Sequence, residues 1–359
     1  MTPSWMVVLT LSLTLGLSMG WSRTTHAEQR IGRDGSAIAV EGRMSSDGWI
    51  AYPGAVIAVA FRGRQIEIRL EASSDQTFVD VILDDQAPER FRVEANRPIA
   101  LTARRSGLHR VEIHKRTEAW QGLLRLVEVK TDGSFVQASE PSVQSHRRKL
   151  LFIGDSITAG SGSDATVDDK TDDATVSNGR LSYGRVLADR LDAACHLIAY
   201  GGKGLIRDYL NDPNAVTAPQ FYERTLPDDP GANWDATKFR PDVVVIALGT
   251  NDFNVGIPPV ESFVPAMVSF IDRIATDAPD AKFVLLSSPM FGEGDSRTAH
   301  LNLLRRAAET FTRRPSGPEV RVVEMDYHPG RPSDSHPIAD EHVLMANQLE
   351  PIIRGMMHW

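Results

Sequence analysis

The hydrophobic period of this chain changes once, and the change divides it into two kinds of fold. In Arg64-Gln-Ile-Glu-Ile-Arg-Leu-Glu, Phe78-Val-Asp-Val-Ile-Leu and His109-Arg-Val-Glu-Ile-His, apolar and polar residues alternate as in half-buried strands. Such strands, broken by Gly and Asp turns and with no useful helical period between them, predict an all-β sandwich or jelly roll over 31–137. A stretch containing Pro, Ser and Gln at 138–147 reads as a linker. From 148 to 359, apolar runs at 149–153, 195–200, 242–248, 282–287 and 320–325 alternate with amphipathic stretches near 182–192, 260–276, 297–312 and 339–357. Strands that are apolar throughout and separated by helices predict a parallel sheet covered on both faces. Sites in such sheets form beyond the carboxyl ends of the strands.

Length agrees with this division, because 359 residues exceed one ordinary core. A net charge of −8 with no basic cluster argues against a nucleic-acid surface, and the Arg147-Arg-Lys149 run solvates a linker end. Residues 1–27 read as a signal peptide, with an uncharged apolar run from Val7 to Met19 and small residues at Thr25 and Ala27 that suit cleavage after Ala27. The expected address is secreted or periplasmic. The leading segment lacks Lys and Arg, which leaves an uncleaved anchor as the lesser alternative. Cys195 is the single cysteine, so no intrachain disulfide can form, and its apolar surroundings read as a buried filler.

Four short blocks carry chemistry. Leu150-Leu-Phe-Ile-Gly-Asp-Ser156 is a buried strand ending in a turn that presents one hydroxyl at the sheet edge. A serine there can act as a nucleophile, with its own N–H pointed at an oxyanion, although Gly-Asp-Ser also suits an ordinary turn or N-cap. Ala199-Tyr-Gly-Gly-Lys-Gly-Leu205 follows the second strand and offers the Gly204 N–H. Val243-Val-Val-Ile-Ala-Leu-Gly-Thr-Asn-Asp252 opens into Asn251, whose neutral side-chain amide suits an oxyanion hole. Ser333-Asp-Ser-His-Pro-Ile-Ala-Asp-Glu-His342 precedes the last helix and supplies His336 as a base, with Asp334 as the nearest carboxylate to hold its ring. Asp326-Tyr-His328-Pro repeats the Asp-x-His-Pro pattern and is a decoy for the same role.

Together these blocks resemble the SGNH (GDSL-like) hydrolases, over about 150–357. His336, rather than His328, has the His-Pro-x-x-x-x-His continuation into a helix. The stretch from Gly107 to Gly122 and the order of the chain resemble carbohydrate esterase family 2, whose members remove acetyl groups from xylan and glucomannan. The resemblance implies a flavodoxin-like three-layer α/β/α domain over 148–359 and an acyl-enzyme esterase. It implies Ser156, His336 and Asp334 as the triad, and Ser156, Gly204 and Asn251 as the oxyanion hole. The implied partner is an acetylated carbohydrate, and neither a metal nor an organic cofactor is required. Departures are visible. Ser335 stands where the family often has a sugar-stacking aromatic, Gly201 replaces a serine, and some members orient the histidine through a backbone carbonyl instead of a carboxylate. The same blocks serve lipolytic esterases and thioesterases, and a glycan-binding protein with a vestigial hydrolase domain is the non-enzymatic alternative. Trp120, Trp234 and Tyr209 are candidates for sugar stacking or for core. Asp164, Asp168, Asp169, Asp172 and Asp173 match no EF-hand spacing and read as a solvated loop rather than a calcium site.

Overall fold

The computed structural model describes residues 29–137, 148–170, 174–331 and 334–359, so the leader and the linker read from the sequence lie outside the described residues. The front half is antiparallel throughout. Its strands are β1 (Gln29–Gly32), β2 (Ile38–Glu41), β3 (Trp49–Ile50), β4 (Val56–Ala72), β5 (Phe78–Leu83), β6 (Glu89–Arg92), β7 (Ile99–Lys115), β8 (Leu124–Thr131) and β9 (Ser134–Val136). They form one sheet with the path β1-β8-β4-β7-β5-β6, to which β2, β3 and β9 attach at β4 or β8. The expectation of short strands fails at β4 and β7, each 17 residues long. Their register shifts between Gly63 and Gln65, and such a bulge bends a long strand pair around its own core. That core holds Ile57, Val59, Ile68, Val81, Val111 and Ile113.

The second half builds the parallel sheet that its apolar runs predict. Strands β10 (Arg148–Gly154), β11 (Ala193–Ala199), β12 (Val243–Ala247), β13 (Lys282–Leu286) and β14 (Val320–Val323) lie in the order β11-β10-β12-β13-β14. Side chains on a strand alternate between faces, and these strands are buried on both. Leu151, Ile153, Val244, Ile246, Phe283 and Leu285 enter one core. Leu150, Phe152, Val243, Val245, Val284 and Leu286 enter the other. Helices α3 (Ala218–Tyr222), α4 (Val260–Asp277) and α5 (Asp295–Thr312) cover the first face, and α2 (Tyr183–Arg190) and α6 (Ala339–Met357) the second. No helix among the described residues is long and apolar enough to cross a membrane.

Register decides where the chemistry can sit. Gly154 pairs with Ala199 on one side and Ala247 on the other. The turns that follow β10, β11 and β12 therefore emerge side by side at the carboxyl edge, about 4.8 Å apart per strand.

Candidate active site

The first turn carries Ser156 at the start of the short helix α1 (Ser156–Ala159). Asp155 is its N-cap: the carboxylate accepts the Ile157 N–H at 3.0 Å and is itself 1% exposed. Burial pushes the Asp155 carboxyl up to about 7. A Cβ on Gly154 would overlap Thr158, so only glycine lets strand turn into helix here. Ser156 Oγ lies 2.8 Å from His336 Nε2. His328 is buried elsewhere, its N–H donating to the Pro289 carbonyl at 2.9 Å, so the two Asp-x-His-Pro copies are separated by position.

His336 precedes α6, and its carbonyl accepts the Arg331 N–H at 3.2 Å. Gly330 has φ +66°, and a Cβ on it would overlap the His336 carbonyl. Glu341, on the first turn of α6, accepts N–H groups from Gly330 at 3.1 Å and Ile338 at 3.0 Å, which ties both to the helix start. Asp334 Oδ2 approaches His336 Nδ1 to 3.4 Å, off the N–H direction, so Nδ1 has no aligned acceptor. The carboxylate is instead held by Arg331, which is 0% exposed: Nε donates to Oδ1 at 3.1 Å and Nη2 to Oδ2. The His336 N–H also donates to Oδ1, at 3.2 Å. Burial alone would raise the Asp334 carboxyl, but the donors from His336 and Arg331 outweigh it and hold it at about 2. Burial alone would lower the His336 imidazole, and the carboxylates of Asp334, Glu118 and Asp155 outweigh that, leaving it raised.

The second and third turns meet through Asp252 and Asn251. Asp252 is fully buried and accepts the N–H groups of Leu205 at 2.9 Å, Ile206 at 2.8 Å and Arg207 at 3.3 Å. Burial nevertheless leaves its carboxyl above the usual range. A Cβ on Gly204 would overlap the Asp252 carboxylate and the Arg207 carbonyl, so glycine is required there by close approach. Asn251 Nδ2 donates to the Lys203 carbonyl at 2.9 Å, beside Gly204. Neither the Ser156 N–H nor the Gly204 N–H donates to an acceptor among the described residues. The structure thus brings Ser156 and His336 into hydrogen-bond contact, sets Asp334 within ion-pair distance of the ring, and joins Gly204 to Asn251 through Lys203.

Three side chains at the site escaped the sequence reading. Asp252 follows the recognised Asn251, and its role as an anchor depends on N–H groups more than forty residues upstream. Arg331 lies just ahead of the recognised loop. His300, on α5, supports Gly249: its Nε2–H donates to the Leu248 carbonyl at 3.0 Å, while Nδ1 accepts the Ser288 N–H at 3.3 Å. Of the aromatic candidates, Trp234 stacks on Arg43 at 4.8 Å and lines a cavity of about 410 Å³ with His196, Phe239 and Lys149, near the amino-terminal ends of β10 and β11. That cavity is at the wrong end of the sheet for Ser156. Trp120 and Tyr209 are 55% and 45% exposed, and Tyr209 packs on Gly202 in the second turn. Asp164 of the acidic loop pairs with the buried Arg116 rather than lying free in solvent, Asp172 and Asp173 lie outside the described residues, and no group of three metal-capable side chains occurs among the described residues.

A strand-turn-helix serine touching an imidazole, with unengaged N–H groups on the serine itself and on Gly204 of the neighbouring turn, has the geometry of an ester hydrolase built on the Gly-Asp-Ser turn. Residues 152–342 match the GDSL-like lipase/acylhydrolase family, and residues 40–139 match the carbohydrate esterase 2 N-terminal family. This chain belongs to carbohydrate esterase family 2 and is a carboxylic ester hydrolase. Its relatives include an acetylxylan esterase/glucomannan deacetylase of Cellvibrio japonicus, 32% identical over 86% of this chain and 84% of that protein. Another is the cellulase/esterase CelE of Acetivibrio thermocellus, 30% identical over 86% of this chain but only 38% of the larger relative. A family two carbohydrate esterase from Cellvibrio japonicus has a similar solved structure, with TM-score 0.86, 30% identity and coverage of 93% of this chain and 99% of that one. The family two esterase from Clostridium thermocellum, solved with cellohexaose, superposes with TM-score 0.81 at 28% identity, covering 90% and 99%.

Proposed function

We propose that this protein removes O-acetyl groups from a polysaccharide or oligosaccharide of the xylan or glucomannan type, through an acetyl-enzyme on Ser156. The 2.8 Å contact between His336 Nε2 and Ser156 Oγ carries the reading. Ser156 Oγ attacks the acetyl carbonyl as its proton passes to Nε2. The oxyanion is held by the N–H groups of Ser156 and Gly204 and by the second amide N–H of Asn251, the first being engaged by the Lys203 carbonyl. His336 returns the proton to the departing sugar oxygen. Water then attacks the acetyl group with His336 as base, and acetate leaves as Oγ is reprotonated. Asp334 favours the imidazolium by charge, and Asp155 shapes the turn.

The substrate class draws support from the activity named for the relative from Cellvibrio japonicus and from Trp120 and Tyr209, exposed aromatics of the kind that stack on sugar rings. The apolar run and Ala27 support export to the periplasm or medium, with mature chain beginning at Glu28. An exported protein whose measured mass retains residues 1–27 would contradict that. For the activity, acetate release is measured on acetylated xylan, acetylated glucomannan, p-nitrophenyl acetate and a long-chain ester. The acetylated glycans are expected to be preferred, and Ser156→Ala is expected to lose at least about 10⁴-fold in kcat without loss of fold. A preference for the long-chain ester would contradict the substrate class.

A further inference from the structure

Glu118 lies in the loop that leaves β7, within the antiparallel half, yet its carboxylate sits among the loops of the other half. It is 2% exposed. Oε2 accepts the Gly201 N–H at 2.6 Å, and Oε1 accepts the Ser161 hydroxyl. Gly201 opens the turn that carries Gly204. Ser161 directly follows the α1 C-cap, and its N–H donates to the Ser156 carbonyl at 3.0 Å. One carboxylate thus spans the nucleophile turn and the oxyanion turn.

The loop that delivers Glu118 is braced from its own side. The Glu118 N–H donates to Gln121 Oε1 at 2.9 Å. Lys115 Nζ donates to the Thr117 carbonyl at 2.6 Å and to the Glu118 carbonyl at 3.2 Å. No cation comes within ion-pair distance of the Glu118 carboxylate among the described residues. A buried carboxylate held only by neutral donors is costly, and a structural role could be filled more cheaply by an amide. A Cβ on Gly201 would overlap this carboxylate, which accounts for glycine at 201.

We propose that Glu118 is a positioning residue for ester hydrolysis, by which the antiparallel half sets the oxyanion turn against the Ser156 helix and supplies negative charge to His336. The inference rests on Ser156 as nucleophile and Gly204 as oxyanion donor. It makes the antiparallel half a part of the active site. The charges facing His336 are Asp334, with Arg331 behind it, Glu118 and Asp155, and the neighbouring His342 is neutral because burial pushes its imidazole down to about 3.

The test uses the full chain, p-nitrophenyl acetate and an acetylated xylooligosaccharide over a range of pH. Glu118→Ala is expected to lower kcat by about 10²-fold, the size of one lost oxyanion donor, with KM within twofold. Glu118→Gln can still accept from Gly201 and donate to Ser161 Oγ, so it is expected to restore most of kcat at high pH. Its acidic limb should lie at lower pH than in the native enzyme, because the charge that favours the imidazolium is gone. Native kcat in Glu118→Ala, or a loss confined to KM, overturns the proposal. Should the alanine variant not fold, Glu118→Gln decides, and an unmoved acidic limb overturns it. Ser156→Ala run in parallel separates the two levels: activity retained there refutes the nucleophile, whereas inactive Ser156→Ala beside unaffected Glu118 variants refutes this inference alone.

Discussion

The imidazole of His336 is pulled two ways. Burial disfavours its charged form, and the carboxylates around it favour that form more strongly. Because Asp334 is held at about 2, it stays ionised throughout the useful range and cannot set the acidic limb of activity. A base must be neutral to accept the Ser156 proton, so a raised imidazole needs a higher pH before it works. Activity is therefore expected to rise through a midpoint above about 6.5, the ordinary histidine value. Asp155, near 7 through burial, titrates in the same window and must be separated from it. In Asp155→Asn the limb should persist, and in Asp334→Asn it should move to lower pH as kcat falls by no more than about 10⁴-fold. A limb that vanishes in Asp155→Asn and stays put in Asp334→Asn would assign the titration to the Asp155 carboxyl instead of the His336 imidazole. Asp334 was legible in the sequence as the nearest carboxylate. Its partial diversion to Arg331 was not, because a buried guanidinium is recognised by what surrounds it in space.

At the scale of elements, apolar runs separated by helical stretches were enough to locate the parallel strands, the three long helices α4, α5 and α6 and the eight-residue α2. Each run splits residue by residue between the two cores, as Leu151 and Phe152 do. The three turns at the carboxyl edge were legible for the same reason: each begins where a buried run stops. What holds them was not. Asp252 reaches back to Leu205, Ile206 and Arg207, and His300 rises from α5 beneath Gly249, so neither leaves a local pattern. Gly249 has φ +128°, and a Cβ there would overlap His300 Nε2. Gly249→Ala is expected to cost roughly 1–3 kcal/mol from backbone conformation alone, read by urea unfolding, and to lower kcat further by displacing Asn251. Unchanged stability and kcat would mean that this turn does not depend on its left-handed residue.

Across the whole molecule, the two halves are joined by polar groups that periodicity cannot reveal. Arg116 of the antiparallel half pairs with Asp80 at 2.6 Å and with Asp164 of the second half, while Asp80 also pairs with Arg180 at 2.8 Å. Tyr52 donates to the Phe221 carbonyl at 2.7 Å, and the Gly42 N–H donates to His196 Nε2 at 3.2 Å. Here a solvated acidic loop was the natural reading of Asp164, since its cation lies in a distant strand exit. Asp80 keeps Arg180 and the Asn178 amide when Arg116 is removed, and Asp164 is partly exposed, so Arg116→Met is expected to destabilise the intact chain by about 1–3 kcal/mol in denaturant unfolding, the cost of the lost hydrogen bonds. Loss of less than about 1 kcal/mol would show that the halves do not depend on this network. The central claim is that acetyl passes through Ser156. Rapid acid quench of the enzyme turning over p-nitrophenyl acetate, followed by intact and peptide mass analysis, tests it directly. One added acetyl group is expected on the peptide containing Ser156, and none in Ser156→Ala. Full turnover by Ser156→Ala, or an acetyl group found on another residue with Ser156 unmodified, would contradict it.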